Sequence, residues 1–341
     1  MRIALITPGF SKSSDDWCIP VLRNLAAGLA GQQDVEVYTS SYPARIDRYR
    51  VLGVPVHAFG SATPGRLARC LEKRRLVGAL AREHEREPFD VLHGFWANEG
   101  GLLCAILGSR LGIPTAMTIM AGELSYEASV GYGKRRRFAG TLGRYAARRV
   151  TAVTTISRYH QDRQRREEPS LNTICLPFGV DVGLFVEEGA VAPFPDAVNL
   201  LIVGSLVPVK GHATALRALA RVAETNPGVH LHIVGEGVLR EELIRLVGEL
   251  DLRSRVTFHG HVEHDELPAY YRAADFCLLS SHFETSGLVI LEAAACGRVT
   301  VGSNVGSMTD FAPSRLRTEP GDVGALAGSI RYLIDEPETR R

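Results

Sequence analysis

The chain has 341 residues, 45% apolar and 23% charged, a composition ordinary for a soluble globular protein and a length that suits two domains better than one. No segment is long enough to span a bilayer, and MRIALITPG, a short apolar run alternating into a Gly/Pro turn, reads as a first buried strand and not as a signal peptide. The formal net charge of +1 hides an asymmetry: residues 1–186 carry 25 Lys/Arg against 17 Asp/Glu, and residues 187–341 carry 14 against 21. Such a dipole favours either an anionic surface or acceptor meeting the first half, or two domains of opposite charge facing each other. The six cysteines, Cys18, Cys70, Cys104, Cys175, Cys277 and Cys296, form no C-x-x-C pair, which points to a reducing, cytoplasmic compartment.

In chain order, the first half alternates short β-branched runs with helical stretches: RIALIT, then CIPVLRNLAAGLAG; VEVYTS; DVLHGFW, then GGLLCAILGSRLG; TAMTIM; and VTAVTTIS. That rhythm predicts parallel strands with crossover helices. Pro and Gly then cluster in PFGVDVGLFVEEGAVAPFPDAV and periodicity disappears, placing a linker near residues 186–197. The second half repeats the rhythm with VNLLIVGS, HATALRALARVAE, VHLHIVG, LREELIRLVGELD, RVTFHG, ELPAYYRAA, DFCLLSS, LVILEAAACG and RVTVGS. The expected architecture is α/β: two Rossmann-like parallel-sheet domains, residues 1–186 and 187–341, facing across a cleft. Ligands of such sheets collect outside the carboxyl ends of the strands, so the strand-to-helix loops are the candidate sites.

Two loops of the second half stand out. After NLLIVG comes SLVPVKGH, in which Gly204 permits a tight turn and Lys210 stands at the start of a helix whose amides favour anions; together they suit a diphosphate, although a lone loop lysine is commonly a solvated surface charge. The spacing is not that of a P-loop. In HFETSGLVILEAAACG, Glu284 precedes a helix that Thr285 or Ser286 is placed to cap, and Glu292 lies in an almost wholly apolar turn of it. A buried carboxylate needs a polar partner, either ligand hydroxyls or an internal residue such as Arg298. The run Ser286-Gly287-Leu288 brings bare amides to the same point. His230, His232, His259 and His261 lack companion ligands at metal-binding spacing and read as structural. The G-x-G-x-x-G of a Rossmann oxidoreductase is missing after the first strand.

The chain resembles the retaining glycosyltransferases of family four, which have the two-domain GT-B fold. The resemblance covers nearly the whole chain and is strongest from Val203 to Phe311. It rests on the two glutamates Glu284 and Glu292 with Gly287 and Leu288 between them, the glycine-rich loop Gly204 to Gly211 ending in Lys-Gly, IVGEG at Ile233 to Gly237, FHGHV at Phe258 to Val262, and PFGVD at Pro177 to Asp181. It implies transfer of a hexose-type sugar from a nucleotide diphosphate sugar, UDP or GDP, to a glycan, lipid or small-molecule acceptor. Lys210 would neutralise the diphosphate and Glu284 contact the transferred sugar, these two being the catalytic pair. Glu292 would accept the ribose hydroxyls, backbone near Val262 would hold the base, and the Gly204-Ser205 turn with Ser286, Gly287 and Leu288 would approach phosphates and sugar. No metal or other cofactor is implied, no metal-binding D-x-D occurs, and no nucleic-acid partner is expected.

The chain departs from the family pattern at several places. Ser205 stands where an arginine is usual, and Arg158 or another basic residue of the first half would have to compensate. In TIMAGEL, Met120 and Ala121 replace a histidine and glycine, so Gly122, Glu123 and Leu124 take over the sugar contact or activity is weak. Asp310 replaces a common glutamate. In the first loop, Asp15, Asp16 and Trp17 are acceptor contacts or a plain capped loop; His93 and Trp96, in LHGFWANEG, bind or stack on an acceptor sugar or are packing residues. The stretch 134–149, KRRRFAGTLGRYAARR, sets Phe138, Leu142 and Tyr145 on one face among cations, suiting peripheral contact with an anionic inner membrane face or a phospholipid acceptor, or else a solvated helix. The family usually ends with a long helix crossing back onto the first domain, and with GSIRYLIDEPETRR as the last residues given, either that helix is absent or the chain is shortened. A sugar-nucleotide binder with weak or no activity, and a nucleotide-sugar epimerase of the same fold, are the alternatives.

Overall fold

A computed structural model describes residues 1–61, 65–133 and 140–340, with backbone only at 66–69. The chain divides into two compact units: residues 1–126, 133–156 and 160–178 form the first, and 127–132, 157–159 and 179–341 the second. The main division at 178/179 falls before the expected 186/187 because Val180, Leu184 and Phe185 pack with Leu201, Val234 and Tyr271, which belong to the second unit. Burying those side chains assigns the segment, whatever its Gly and Pro content.

The elements of the first half are β1 (Arg2–Gly9), α1 (Pro20–Ala30), β2 (Asp34–Tyr42), β3 (Ile46–Val51), β4 (Val54–Phe59), α2 (Arg66–Arg86), β5 (Val91–Phe95), α3 (Gly101–Leu111), β6 (Thr115–Thr118), β7 (Tyr126–Glu127), β8 (Tyr132–Gly133), α4 (Thr141–Ala147), β9 (Ala152–Thr155), α5 (Arg158–Glu167) and β10 (Ile174–Cys175). Eight strands form one sheet in the order β10-β9-β6-β5-β1-β2-β4-β3, parallel except for β3. In β1, Ala4 and Ile6 meet Leu76, Leu80, Leu103 and Leu107 on one face, while Ile3 and Leu5 meet Leu22 and Ala26 on the other. Both faces are covered, which is why RIALIT is a continuous apolar run. The β3–β4 hairpin and the 21-residue α2 are elements the alternation did not reveal. The hairpin turns on Leu52 and Gly53, both at positive φ (48° and 82°), the backbone of a two-residue turn usually marked by Asn-Gly, and Leu-Gly carries no such signal. Near the amino ends of β1 and β2, Arg2 lies 2.5 Å from Glu36 and 2.9 Å from Glu83. Burial opposes ionisation of Glu36, but hydrogen bonds from His57, Tyr38 and Arg2 outweigh it and hold its carboxyl at about 2.

The second half comprises β11 (Val198–Val203), α6 (His212–Ala223), β12 (Val229–Val234), α7 (Arg240–Glu249), β13 (Val256–Gly260), α8 (Leu267–Ala273), β14 (Phe276–Leu279), α9 (Leu288–Ala295), β15 (Thr300–Ser303), α10 (Ser307–Phe311), β16 (Arg317–Thr318) and α11 (Val323–Asp335). Its six parallel strands run β13-β12-β11-β14-β15-β16. The chain starts at β11, builds outward to β13, then returns to the other side of β11 as β14, so the switch point of the sheet, where ligands of such folds collect, lies between β11 and β14. Leu200, Ile202, Leu231 and Ile233 pack on Leu216, Leu219, Ile330 and Leu333 of α6 and α11, giving the unit its main core.

Three of the four paired histidines, His230, His232 and His259, pack inside this unit, whereas His261 is exposed and lies 3.3 Å from Glu263. Phe194 lies flat on His232 with ring centroids 3.5 Å apart, and His232 bonds to His259 (2.9 Å) and Asn199 (3.0 Å), while His230 meets Thr257 (2.8 Å). Among the described residues, no three His, Cys, Asp or Glu side chains gather as a metal site. Buried histidines set an acid limit on stability. Burial lowers His93 to about 4, His160 (with Arg163 adding) to about 4, His212 (with Lys210 adding) to about 4, and His232 (with its neighbouring histidines adding) to about 3. Their ordinary value is 6.5, so below that pH the unfolded chain binds more protons and stability falls as pH drops towards 4. Glu123 and Glu292, pushed up by burial, act in the opposite sense as pH rises past their ordinary 4.5, but two carboxyls face four histidines. Calorimetry is therefore expected to show Tm constant above pH 7 and falling between pH ~6.5 and ~4.5; a Tm that rises over that interval contradicts this assignment.

Candidate functional site

The loop that leaves β11 is stitched to those of β14 and β12 by backbone contacts that only glycine admits. Gly211, at φ +64°, would place a Cβ 2.1 Å from the Ser280 carbonyl oxygen, and Gly235, at φ +134°, would place one 2.2 Å from that of Gly204. Substituting either would force the strand tips apart. Three further bonds fix the seam: Gly204 N–H to the Val234 carbonyl (2.9 Å), His282 N–H to that of Val209 (2.8 Å), and the Ser280 hydroxyl to that of Lys210 (3.0 Å). The turn Pro208–Lys210 then delivers Lys210 to Glu284, with Nζ 2.5 Å from Oε1; the Ser281 hydroxyl donates to the same oxygen at 2.8 Å. The two residues expected to be catalytic are thus brought together, the carboxylate buried and the ammonium half-buried. Ser205 is exposed, and Gly204 lies against the aliphatic stem of Lys210.

Beyond Glu284 the chain enters α9 by a route different from the expected one. Gly287, at φ +77°, is the residue that precedes the helix, and no side chain caps it. The side chains of Thr285 and Ser286 do not cap because the segment is committed elsewhere: the Thr285 carbonyl accepts from the Ser157 hydroxyl (2.5 Å), the Ser286 carbonyl from Ser307 N–H (2.6 Å), and the Ser286 hydroxyl faces that of Ser307 at 3.5 Å. The amino end of α9 consequently presents Leu288 and its neighbours without a side-chain acceptor, a setting suited to an anion. Within α9, Glu292 is buried and its Oε2 accepts from the Tyr271 hydroxyl at 2.7 Å. Arg298 is not its partner, since that guanidinium donates to the Arg272 carbonyl. Burial pushes the Glu292 carboxyl up, against the lowering effect of the Tyr271 bond. Val262, just beyond the β13 tip at Gly260, is half-buried in the cluster that contains Tyr271.

In the first unit, the side chains considered for an acceptor are largely occupied by their own loops. Asp16 accepts from Lys12 N–H (2.7 Å) and the Tyr42 hydroxyl (2.9 Å), and the Arg23 guanidinium lies 3.6 Å above the Trp17 ring. Those contacts are the capped-loop arrangement. His93 bonds to Thr118 (2.7 Å), which bonds to Thr154 (2.7 Å), forming a row across β5, β6 and β9. Trp96 opens a π-helical turn, Trp96–Gly100, at φ +62°, and packs in one apolar cluster with Met120, Phe10 and Phe95. Met120 is 9% exposed, so it fills a core position and does not line an open subsite. Glu123, also buried, accepts from Met120 N–H (3.1 Å) and Ala121 N–H (2.6 Å), holding the turn around the buried Gly122 instead of reaching outward. Tyr271 and Ser281, which partner the two glutamates, carried no signal in the sequence.

Two parallel-sheet units, the second with a cation, two buried carboxylates and an uncapped helix start at its switch point, are the build of a GT-B protein. The chain belongs to the group 1 glycosyltransferases: the family model described as Glycosyl transferases group 1 matches residues 190–341, and the Glycosyl transferase 4-like domain matches residues 19–172. It is 38% identical over 230 residues to a glycogen synthase of Mycobacterium tuberculosis, covering 66% of this chain and 55% of that protein. It is 31% identical over 296 residues to a D-inositol 3-phosphate glycosyltransferase of Actinosynnema mirum, covering 74% of this chain and 70% of that one. Among solved structures, the sucrose-phosphate synthase of Thermosynechococcus elongatus superposes with a TM-score of 0.79 at 22% identity, over 99% of this chain and 91% of that one. A structure of Anabaena HepE in complex with UDP and glucose gives 0.75 at 19%, again over 99% and 91%.

The Tyr271–Glu292 bond is open to test. Tyr271→Phe leaves a buried carboxyl without its donor and is expected to cost about 2 kcal/mol in urea unfolding; adding Glu292→Leu, which removes the stranded acid, should recover most of that loss. An unaltered midpoint in the single variant contradicts the pairing.

Proposed function

We propose that this chain is a retaining glycosyltransferase that moves a hexose-type sugar from a UDP- or GDP-sugar to a glycan, lipid or small-molecule acceptor without a metal ion. The observation that carries the reading is the Lys210–Glu284 pair at 2.5 Å, placed at the switch point beside the start of α9. An ammonium in this position can exchange a carboxylate for a diphosphate, and the freed carboxylate then becomes an acceptor for sugar hydroxyls. Charge that builds on the departing diphosphate is met by Lys210 and by the amides of Ser286, Gly287 and Leu288, dipoles already oriented before reaction. Glu292, kept in place by Tyr271, accepts from the ribose hydroxyls, and backbone at Val262 meets the base. The bond from the anomeric carbon to phosphate breaks while the acceptor oxygen bonds on the same face; the acceptor proton passes to the departing phosphate oxygen. In this reading Ser205 supplies no charge, so Lys210 is the principal cation.

Membership of the group 1 family and the names of the relatives support transfer, and the UDP and glucose of the HepE structure agree with a nucleotide-sugar donor. The acceptor side rests on the first unit, where Asp16, Trp17, His93 and Trp96 are all half-exposed. A lipid acceptor, or contact with the anionic inner face of a membrane, would engage residues 134–149: Leu142, Tyr145, Arg148 and Arg149 are exposed on and after α4, whereas 134–139 lie outside the described residues. Among the described residues no helix is long and apolar enough to cross a membrane. The second reading, a sugar-nucleotide binder without transfer, draws on the buried Met120, whose thioether offers no hydrogen-bond donor.

A thermal-shift screen of UDP-, GDP- and ADP-sugars, followed by mass spectrometry of products with candidate lipids and glycans, separates these readings. Transfer is expected with one nucleotide, insensitive to EDTA. Lys210→Ala and Glu284→Ala should each lower kcat by about a hundredfold or more with an unchanged circular dichroism spectrum. Donor binding with neither transfer nor donor hydrolysis in the wild type supports the binder, and full activity in both variants overturns the assignment of the pair.

A further inference from the structure

The segment between Glu284 and α9 is held through its carbonyls, and this has a stereochemical consequence. In a planar trans peptide the C=O of one residue and the N–H of the next point in opposite directions. Fixing the Thr285 carbonyl therefore fixes the Ser286 N–H, and fixing the Ser286 carbonyl fixes the Gly287 N–H. The first carbonyl is held by the Ser157 hydroxyl at 2.5 Å, and the second by Ser307 N–H at 2.6 Å. Ser307 is the first residue of α10, and three residues later in that helix Asp310 accepts from Arg158 N–H at 2.9 Å, immediately beside Ser157. Ser157, Arg158, Asp310, Ser307, Ser286 and Thr285 thus close a ring of hydrogen bonds and covalent links within the second unit.

The ring is tightly built. Gly306, at φ +55°, would place a Cβ 2.5 Å from the Ser286 carbonyl oxygen and 2.9 Å from Glu284 Cβ, so nothing larger than glycine lets α10 approach. Tyr159, next after Arg158, packs with Leu279, Ile290, Val305 and Met308, which anchors the 157–159 segment independently of its polar bonds.

We propose that Ser157 and Asp310 are positioning residues that set the direction of the Ser286 and Gly287 amides: Ser157 through the Thr285 carbonyl, and Asp310 by clamping the backbone that carries Ser157. The inference rests on the reading of those amides as donor ligands, but the orientation itself can be measured without any ligand. Asp310 meets a backbone amide and not the Arg158 side chain, so its part is geometric and a neutral acceptor of the same shape can replace it.

Hydrogen–deuterium exchange of a peptide covering residues 285–290 tests the ring directly in the ligand-free protein. Ser157→Ala, which removes only a hydroxyl, and Asp310→Ala are expected to speed exchange there by about tenfold, whereas Asp310→Asn, which keeps an acceptor oxygen, stays near wild type. Calorimetric titration with UDP and GDP should show the affinity of whichever nucleotide binds reduced about tenfold in the first two variants, with retention in Asp310→Asn. Unchanged exchange in both Ser157→Ala and Asp310→Ala overturns the proposal. Faster exchange together with no nucleotide binding by the wild type leaves the ring in place and instead defeats the transferase reading. If Asp310→Ala lowers Tm by more than a few degrees, Ser157→Ala alone decides.

Discussion

The second unit is organised around an ammonium and a carboxylate that neutralise each other at the end of a parallel sheet. Removing two charges from water is costly unless they meet closely and their remaining valences are bonded. Lys210 and Glu284 satisfy that condition only because the β11 and β14 loops touch backbone to backbone at Gly211 and Ser280. The sheet order makes those two strands neighbours although 72 residues of numbering separate Phe276 from Gly204. In the proposed function a pair so placed is the resting arrangement and exchanges partners, since the lysine is half-buried and a diphosphate offers it a denser charge than a single carboxylate.

Around the pair, several groups with a proposed part in donor handling are fixed by residues that have none. Tyr271 holds Glu292, Ser281 shares Oε1 of Glu284, and carbonyl partners orient the turn before α9. Such support matters because dipoles stabilise developing charge only if they do not have to reorient during reaction. The first unit follows another economy: Asp16, His93 and Glu123 spend their hydrogen bonds on their own loops, and Met120 fills the core. Trp96 is held in a left-handed backbone conformation unusual for so large a side chain.

Much of this was legible in the sequence, and the boundary of legibility is physical. Runs such as RIALIT and NLLIVG announce strands buried on both faces, and the Lys210, Glu284 and Glu292 spacing marked a candidate site, of which the structure brings Lys210 and Glu284 together. The β3–β4 hairpin escaped because Leu52 adopts a backbone conformation that Asn or Gly usually signals. Arg298 was a reasonable partner for Glu292 by proximity in sequence, whereas the actual donor, Tyr271, lies 21 residues away on α8 and is brought in by tertiary packing. The cap expected from Thr285 or Ser286 failed for the same reason: their carbonyls are claimed by Ser157 and Ser307, partners that no local pattern encodes.

The central claim is that the Lys210–Glu284 pair opens to receive a nucleotide diphosphate. A crystal structure of the chain with the UDP- or GDP-sugar that gives the larger thermal shift tests it most directly. The account predicts Lys210 Nζ within hydrogen-bonding distance of a diphosphate oxygen, Glu284 turned to the sugar, and Glu292 bonded to the ribose with its Tyr271 contact retained. A nucleotide bound elsewhere, with Lys210 and Glu284 still paired, would contradict it.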